Sequence, residues 1–361
     1  MEYAQIQPSS FKPSYGPNDN ISFNLSFMSK SIVRNSIRIS GTLKLWSNSA
    51  NTIPVNNQNI FFDSAVGIHG FFNNFVVAIQ GGKSILENQS DYARYVKMRN
   101  TATKCNSQMI TSGRLINELT MSDSSKTNKY ASDERYFYMK PDVCVNNCSD
   151  NIDYSKTGDI KISFRLVSPV EALWGSDAAA ATYEITNLTL EYRTTVELKR
   201  PVMMVIRQAV KQTLNSANAT VSVQLPASVN SLVCSFMRTA EEQQTGFNNL
   251  ELEMPLGMNK LYYQFNNSGQ YIAYPLESVQ DMLQHYIEGF HANDAIVGKM
   301  DDKKNDVSLQ RLNDNKIFGV GIDFSDSLNL MNSNFALNLM TGVQSNDPYH
   351  IWLYFHSLAN L

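Results

Sequence analysis

The sequence predicts an all-β chain made of two tandem eight-stranded antiparallel sandwiches, each with a short helix inserted midway. Three observations carry that reading. First, Leu261 to Phe290 (LYYQFNNSGQYIAYPLESVQDMLQHYIEGF) repeats the plan of Phe75 to Asn100 (FVVAIQGGKSILENQSDYARYVKMRN), about 186 residues apart (261 minus 75) in a chain of 361. Second, short runs that alternate apolar and polar residues recur along both halves, as half-buried strands do. Third, charged residues make up only 17% of the chain and aromatics 11%. That balance argues against disorder or a coiled coil and suits strands with polar loops.

Each copy of the repeated unit reads as a strand, a tight turn, a second strand and a helix. The strands are Val76 to Ile79 and Tyr262 to Phe265; the turns are Gln80-Gly81-Gly82 and Asn266-Asn267-Ser268-Gly269. Those turn residues tolerate the positive φ that a strand reversal needs. Tyr92, Tyr95 and Val96 recur at helical spacing, as do Val279, Met282, Leu283, Tyr286, Ile287 and Phe290. Both stripes predict amphipathic helices. Ser90 before Asp91, and Ser278 with Asp281 three residues on, are the expected helix starts.

Along the chain, residues 1–19 hold three prolines and no periodicity, and are expected as an extended arm on the surface or on a neighbour. Strands follow at Ile21 to Phe27, Ser36 to Trp46, Asn59 to Phe62 and Phe71 to Ile79. After the first helix, Thr101 to Ser132 reads as a long loop with a short helix near Leu115, and loops of that length are usually contact surfaces. Tyr136 to Met139, Asp159 to Val167 and Tyr183 to Arg193 are strands by alternation. The insertion between the last two carries Trp174, either packed on its own domain or anchoring a contact between subunits. Glu197 to Pro201 is the expected boundary, giving an arm over 1–19, a first unit over 20–198 and a second over 199–361. The second unit has strands at Val202 to Val210, Ala219 to Leu225, Ser231 to Met237 and Leu250 to Met254, then the repeat, then Ile317 to Phe324, Phe335 to Met340 and Ile351 to Phe355. KISFRLV is expected to correspond to IFGVGIDF, and NLTLEYR to HIWLYFH. Eight-stranded sandwiches of two Greek keys are jelly rolls, so the expectation is two of them in tandem.

The residues offer little chemistry. His69, His285, His291, His350 and His356 are scattered without an HExxH, and Gly81-Gly82 lacks the Lys and Ser/Thr of a phosphate loop. Asp301-Asp302-Lys303-Lys304-Asn305-Asp306 lacks the calcium-loop spacing. Cys144 and Cys148 form CVNNC with no second pair or nearby His to complete a metal site, so they read as a loop thiol pair, free in a reducing compartment or oxidised in a particle outside the cell. Cys105 and Cys234 complete the cysteines. The expectation is therefore no catalytic, cofactor-binding or metal residues and no cofactor. Net charge is −3, and the first 30 residues carry only Lys12 and Lys30 as cations, so no specific nucleic-acid binding is expected. Glycosylation sequons, among them those at Asn24, Asn88, Asn147, Asn187, Asn218 and Asn266, read as chance in an Asn-rich chain. No apolar run reaches the ~18 residues of a membrane helix and the polar start lacks a signal peptide, so a protein made inside a cell is expected.

The repeated strand, turn and helix, with its Tyr274-Pro275 pair, and the ending IFGVGIDF, NSNFALNL and HIWLYFHS resemble the double jelly-roll major capsid proteins. That lineage includes adenovirus hexons, virophages, algal giant viruses and tailless, membrane-containing phages. The resemblance covers roughly residues 20–357 and is one of pattern. It implies a structural virion protein, two upright jelly rolls per chain, and homotrimers of pseudo-hexagonal outline that tile an icosahedral shell beside neighbouring capsomers and other capsid proteins. Synthesis and assembly inside the host cell, with the virion as destination, follow from the same resemblance. Whether a membrane underlies the shell is left open. Three other readings stand: a penton or minor capsid protein with only one jelly roll, a carbohydrate-binding tandem β-sandwich, and a cupin-like metalloenzyme.

Overall fold

The computed structural model describes residues 1–26, 30–52, 58–63, 65–103, 135–196, 201–224, 229–258, 260–267, 270–276, 278–297, 318–328 and 334–361. In chain order the first half supplies β1 (Glu2–Ile6), β2 (Ser14–Tyr15), β3 (Asn20–Leu25), β4 (Ser31–Ile32), β5 (Arg38–Trp46), β6 (Phe72–Ile79), β7 (Ser84–Gln89), β8 (Arg135–Met139), β9 (Ile152–Asp153), β10 (Ile160–Leu166) and β11 (Thr182–Thr195). The second supplies β12 (Met203–Leu214), β13 (Asn218–Gln224), β14 (Val229–Arg238), β15 (Lys260–Asn267), β16 (Gln270–Leu276), β17 (Gly319–Leu328), β18 (Asn334–Met340) and β19 (Tyr349–Asn360). The two longer helices are α1 (Tyr92–Thr103) and α2 (Val279–His291).

Alternation becomes burial where the sequence places it. Along β10 every second residue is buried, from Ile160 through Ile162 and Phe164 to Leu166, while Lys161, Ser163 and Arg165 are half-exposed. The strands form three sheets. One runs β8-β5-β11, with β1 and β2 on the far side of β11 and the two-residue strands β4 and β9 at its end. A second runs β17-β14-β19-β12-β7-β6-β10-β3, and the third runs β13-β18-β15-β16.

Counting β1 and β2 as one strand and setting β4 and β9 aside, both halves have the same topology. The order β1/β2-β11-β5-β8 corresponds to β12-β19-β14-β17, and β3-β10-β6-β7 to β13-β18-β15-β16. Each half is thus a Greek-key sandwich of two sheets. The eight-stranded middle sheet is composite: one sheet of the first half meets the opposite-type sheet of the second through a parallel contact of β7 with β12, at Asn88 and Gln208. Each sandwich has its own apolar core. A third apolar cluster, including Tyr95, Met98, Val233, Tyr286, Phe290 and Tyr354, lies where α1 meets the second half.

Several expectations change. The counterpart of KISFRLV (β10) is β18, NFALNLM, because each pairs with the strand that opens the repeated unit; β17 instead corresponds to β8. NLTLEYR and HIWLYFH do correspond, as β11 and β19. Asn59 to Phe62 makes a single bridge, Phe61 to Trp174, and no strand. Leu250 to Met254 bonds only at points, Glu253 N to Phe236 O and Phe318 N to Leu252 O, so its apolar side chains cover an edge without forming a ladder. The expected arm lies on its own chain: β1 pairs with Leu190 to Thr194 and β2 with Ile185 and Thr186. Trp174 is half-buried and packs on Phe61, with ring centroids 5.1 Å apart.

The turn at Gln80 to Gly82 is as expected, with φ of 54°, 68° and 94°. Ser278 caps α2, its Oγ accepting from Asp281 N at 3.1 Å and donating to Asp281 Oδ2 at 2.7 Å. At α1 the expected Ser90 cap is replaced. Asp91 adopts φ 52°, and the first helical N–H, that of Tyr92, donates to Asn73 Oδ1 on β6 at 3.0 Å. The helix near Leu115 and the stretch from Asp301 to Asp306 lie outside the described residues.

Candidate functional site at the junction of the halves

The densest polar chemistry among the described residues is buried between the two sandwiches. Glu87 on β7 is 1% exposed. Its Oε2 accepts from Cys144 N at 2.6 Å and its Oε1 from Arg207 N of β12 at 3.1 Å, so one carboxyl bridges both halves. Burial pushes this carboxyl up to about 7, against the pull of Arg207 and the two backbone donors. The Arg207 guanidinium reaches Asp142 Oδ1 at 2.7 Å and lies 4.7 Å from the Tyr95 ring. Asp142 also pairs with Arg99 of α1 and accepts from Asn147 Nδ2 at 2.6 Å. Every member of this set is held by several others, which is what a buried charge requires.

α1 makes further contacts across the junction. Arg94 donates to Glu251 O at 2.9 Å and stacks 3.8 Å from the centre of the Trp352 ring. Lys97 pairs with Asp63, whose Oδ2 also accepts from Asn248 Nδ2 at 2.7 Å. A small cleft opens beside these residues, lined in part by Asp91, Glu171, Glu242 and Trp352. Its carboxylates are largely engaged: Glu242 with Lys211 and His350, and Glu171 with Ser168.

The histidines are dispersed, as their sequence spacing implies. His69 bonds the Tyr92 hydroxyl at 2.7 Å, His291 pairs with Asp294 at 2.7 Å, His285 lies 3.6 Å from Glu288, and His350 pairs with Glu242 at 2.5 Å. His356 is buried between Tyr95 and Ser231. Cys144, Cys148 and Cys234 are buried free thiols. Burial holds their pKa values above the ordinary thiol value, Cys148 at about 11, which makes them poor nucleophiles and poor metal ligands. The one group able to offer three ligand atoms to a metal, among the described residues, is Glu241, Glu251 and Glu253, whose carboxylates lie within 4.8 Å of one another. Desolvation and the neighbouring Glu253 raise Glu241 to about 7.

No protein-family model and no curated protein sequence matches the chain. Solved structures do. The Faustovirus major capsid protein is 11% identical with a TM-score of 0.60, covering 100% of this chain and 90% of that one. A chain of the PBCV-1 virus capsid is 10% identical with a TM-score of 0.58, covering 99% and 94%. A chain of the Sputnik virophage is 10% identical with a TM-score of 0.55, covering 99% and 85%. Near end-to-end coverage, together with one strand order occurring twice, decides the architecture.

The chain has the double jelly-roll fold. Within a double jelly roll, the Glu87, Arg207 and Asp142 set is the polar seam that joins the two rolls, and α1 is the element that crosses it. Sequence reasoning missed the seam, since Glu87 and Arg207 are 120 positions apart. One signal was available: Arg94 and Lys97 fall among the apolar positions of a helix short enough to be wholly buried, and buried cations need partners from elsewhere. No helix among the described residues is long and apolar enough to cross a membrane.

Proposed function

We propose that this protein is a major capsid protein, forming homotrimers of pseudo-hexagonal outline that tile an icosahedral virion shell. The observation that carries the reading is the duplicated eight-strand order in a chain covered almost end to end by viral capsid structures. Two rolls of equal strand order in one chain give a trimer six similar blocks, which is the geometric requirement for a hexagonal tile. The units are residues 20–198 and 199–361, with 1–19 as an arm that adds strands to the first roll. The partners are two further copies, neighbouring capsomers and other capsid proteins.

The outer sheet of the first roll suits such contacts. Tyr3 and Tyr136 are 68% and 58% exposed, with Arg193 4.9 Å from the Tyr3 ring and Tyr138, Arg38 and Glu191 on the same face. Tyrosine and arginine are the side chains enriched where proteins meet. A sugar-binding shelf would be flanked by Asn and Asp; this one is flanked by arginines. A penton-like chain with a single jelly roll is disfavoured because both halves have the complete strand order.

Light scattering and negative-stain microscopy of the purified protein test the proposal. Trimers with a hexagonal outline, or shells, are expected. A stable monomer at micromolar concentration would overturn it, since obligate interfaces of this kind bury upwards of ~2,000 Å².

A further inference from the structure

His356 on β19 sits where elements of both rolls converge. It is 1% exposed. Its Nδ1 lies 2.6 Å from Ser231 Oγ of β14, and its Nε2 lies 2.9 Å from the Tyr95 hydroxyl of α1. The ring packs edge-on to Tyr95 at 5.6 Å and lies 6.2 Å from Phe290 of α2, whose Gly289 backbone is a further hydrogen-bond partner. A single imidazole therefore ties the helix of the first roll to two strands and the helix of the second.

The charges around the ring come from three elements. Arg207 on β12 is its cross-strand partner, Arg99 projects from α1, and Asp142 lies between these two guanidiniums and pairs with both. Glu87 on β7 has its oxygens committed to the backbone N–H groups of Cys144 and Arg207. The β14 and α2 elements contribute Ser231 and the Gly289 backbone. A second proton on the ring would place a third cation beside two guanidiniums whose carboxylates are already engaged. The Tyr95 and Ser231 hydroxyls can accept from the ring in either protonation state, so what the site disfavours is the added charge, buried beside the guanidiniums. Burial and the neighbouring Arg207 and Arg99 outweigh the Gly289 backbone and Asp142, and favour the neutral ring.

We propose that His356 is an acid-sensitive latch between the two rolls: neutral, it ties α1 to β14 and β19, and protonated, it releases that packing. Burial, with Arg207 beside it, lowers its pKa from 6.5 to about 3 in the closed form. The open form takes up the proton that the closed form refuses. Closure is therefore at full strength above about pH 6.5 and weakens about tenfold per pH unit as pH falls toward 3. Glu87 acts in the opposite sense between about 4.5 and 7, so the contribution of His356 appears as a difference between proteins. The latch belongs to the single chain and operates whether or not the chain builds a shell; in the proposed shell it would loosen each subunit from within.

The test is hydrogen–deuterium exchange from pH 4 to 7, corrected for intrinsic rates, on peptides of α1 and β14 in the wild type and in His356→Gln. Glutamine keeps one donor and one acceptor and cannot titrate. The ratio of wild-type to variant opening is expected to rise about tenfold per pH unit between pH 6 and 4; parallel curves would overturn the latch. If His356→Gln does not fold, histidine C2 exchange on the unmodified protein decides instead. A midpoint for His356 below pH 5 supports the latch, and one near 6.5 refutes it. Light scattering at each pH separates opening within a chain from dissociation between chains.

Discussion

α1 and α2 occupy the same place in two copies of one strand order, but their surroundings differ. From Tyr92 to Met98 every residue of α1 is buried, Arg94 and Lys97 included, whereas α2 keeps Gln280, Asp281 and Gln284 in solvent. The cause is the composite middle sheet. Joining β7 to β12 brings the second roll against the outward side of α1, and α2 is left with one face uncovered. A duplicated helix has thus become the pin between the copies in one half and remained a surface helix in the other. The partners of α1 show the consequence: its cations are held by Asp63, Asp142 and backbone carbonyls from distant segments. The α2 side-chain contacts that accompany it are local, His285 with Glu288 and His291 with Asp294.

Breaking the seam should cost most. Asp142→Ala leaves Arg99 and Arg207 without their shared carboxylate, and uncompensated buried charge typically costs roughly 3–5 kcal/mol. A denaturant titration should show the loss, with exchange protection lost first at α1. No substitution of a charged residue on α2 should approach it.

The pH dependence of the seam separates the halves further. The raised Glu87 pKa means that the folded chain keeps a proton which the unfolded chain releases. The sign follows directly: this contribution is complete below about pH 4.5 and is lost as pH rises to about 7. Over that interval the wild type should lose up to roughly 3 kcal/mol relative to Glu87→Gln. Melting temperatures of both proteins at pH 5 and 7.5 measure this, and a constant difference would mean that Glu87 is ionised when folded.

The caps give the smallest contrast. Asn73→Ala strands the buried Tyr92 N–H and should cost about 1–2 kcal/mol, whereas Ser278→Ala uncovers a solvent-accessible helix start and should cost about 1 kcal/mol or less. Equal losses would show that α1 is no more dependent on its surroundings than α2.

The strands were legible because alternation is a local pattern that survives wherever one face is buried, as in KISFRLV. The repeated unit was legible because strand, turn and helix lie within thirty residues, and the capping pair Ser278 and Asp281 is three residues apart. The correspondence of β10 with β18 was not legible, because rank in the chain does not reveal which strands pair. Leu250 to Met254 carries a strand's composition, but its burial comes from covering an edge. The cap of α1 was missed because Asn73 acts from 19 positions away.

The sequence by itself determined that the chain is β-rich, that one plan occurs twice, and that each copy carries a helix after its central hairpin. These are consequences of local patterning and composition. Only the tertiary structure decided that opposite sheets of the two copies merge into one, that α1 lies inside the seam, and that Glu87, Asp142, Arg207 and His356 share it. The physical reason is distance along the chain. A buried charge or imidazole is defined by the partners that compensate it, and here those partners come from segments separated by as many as 261 positions.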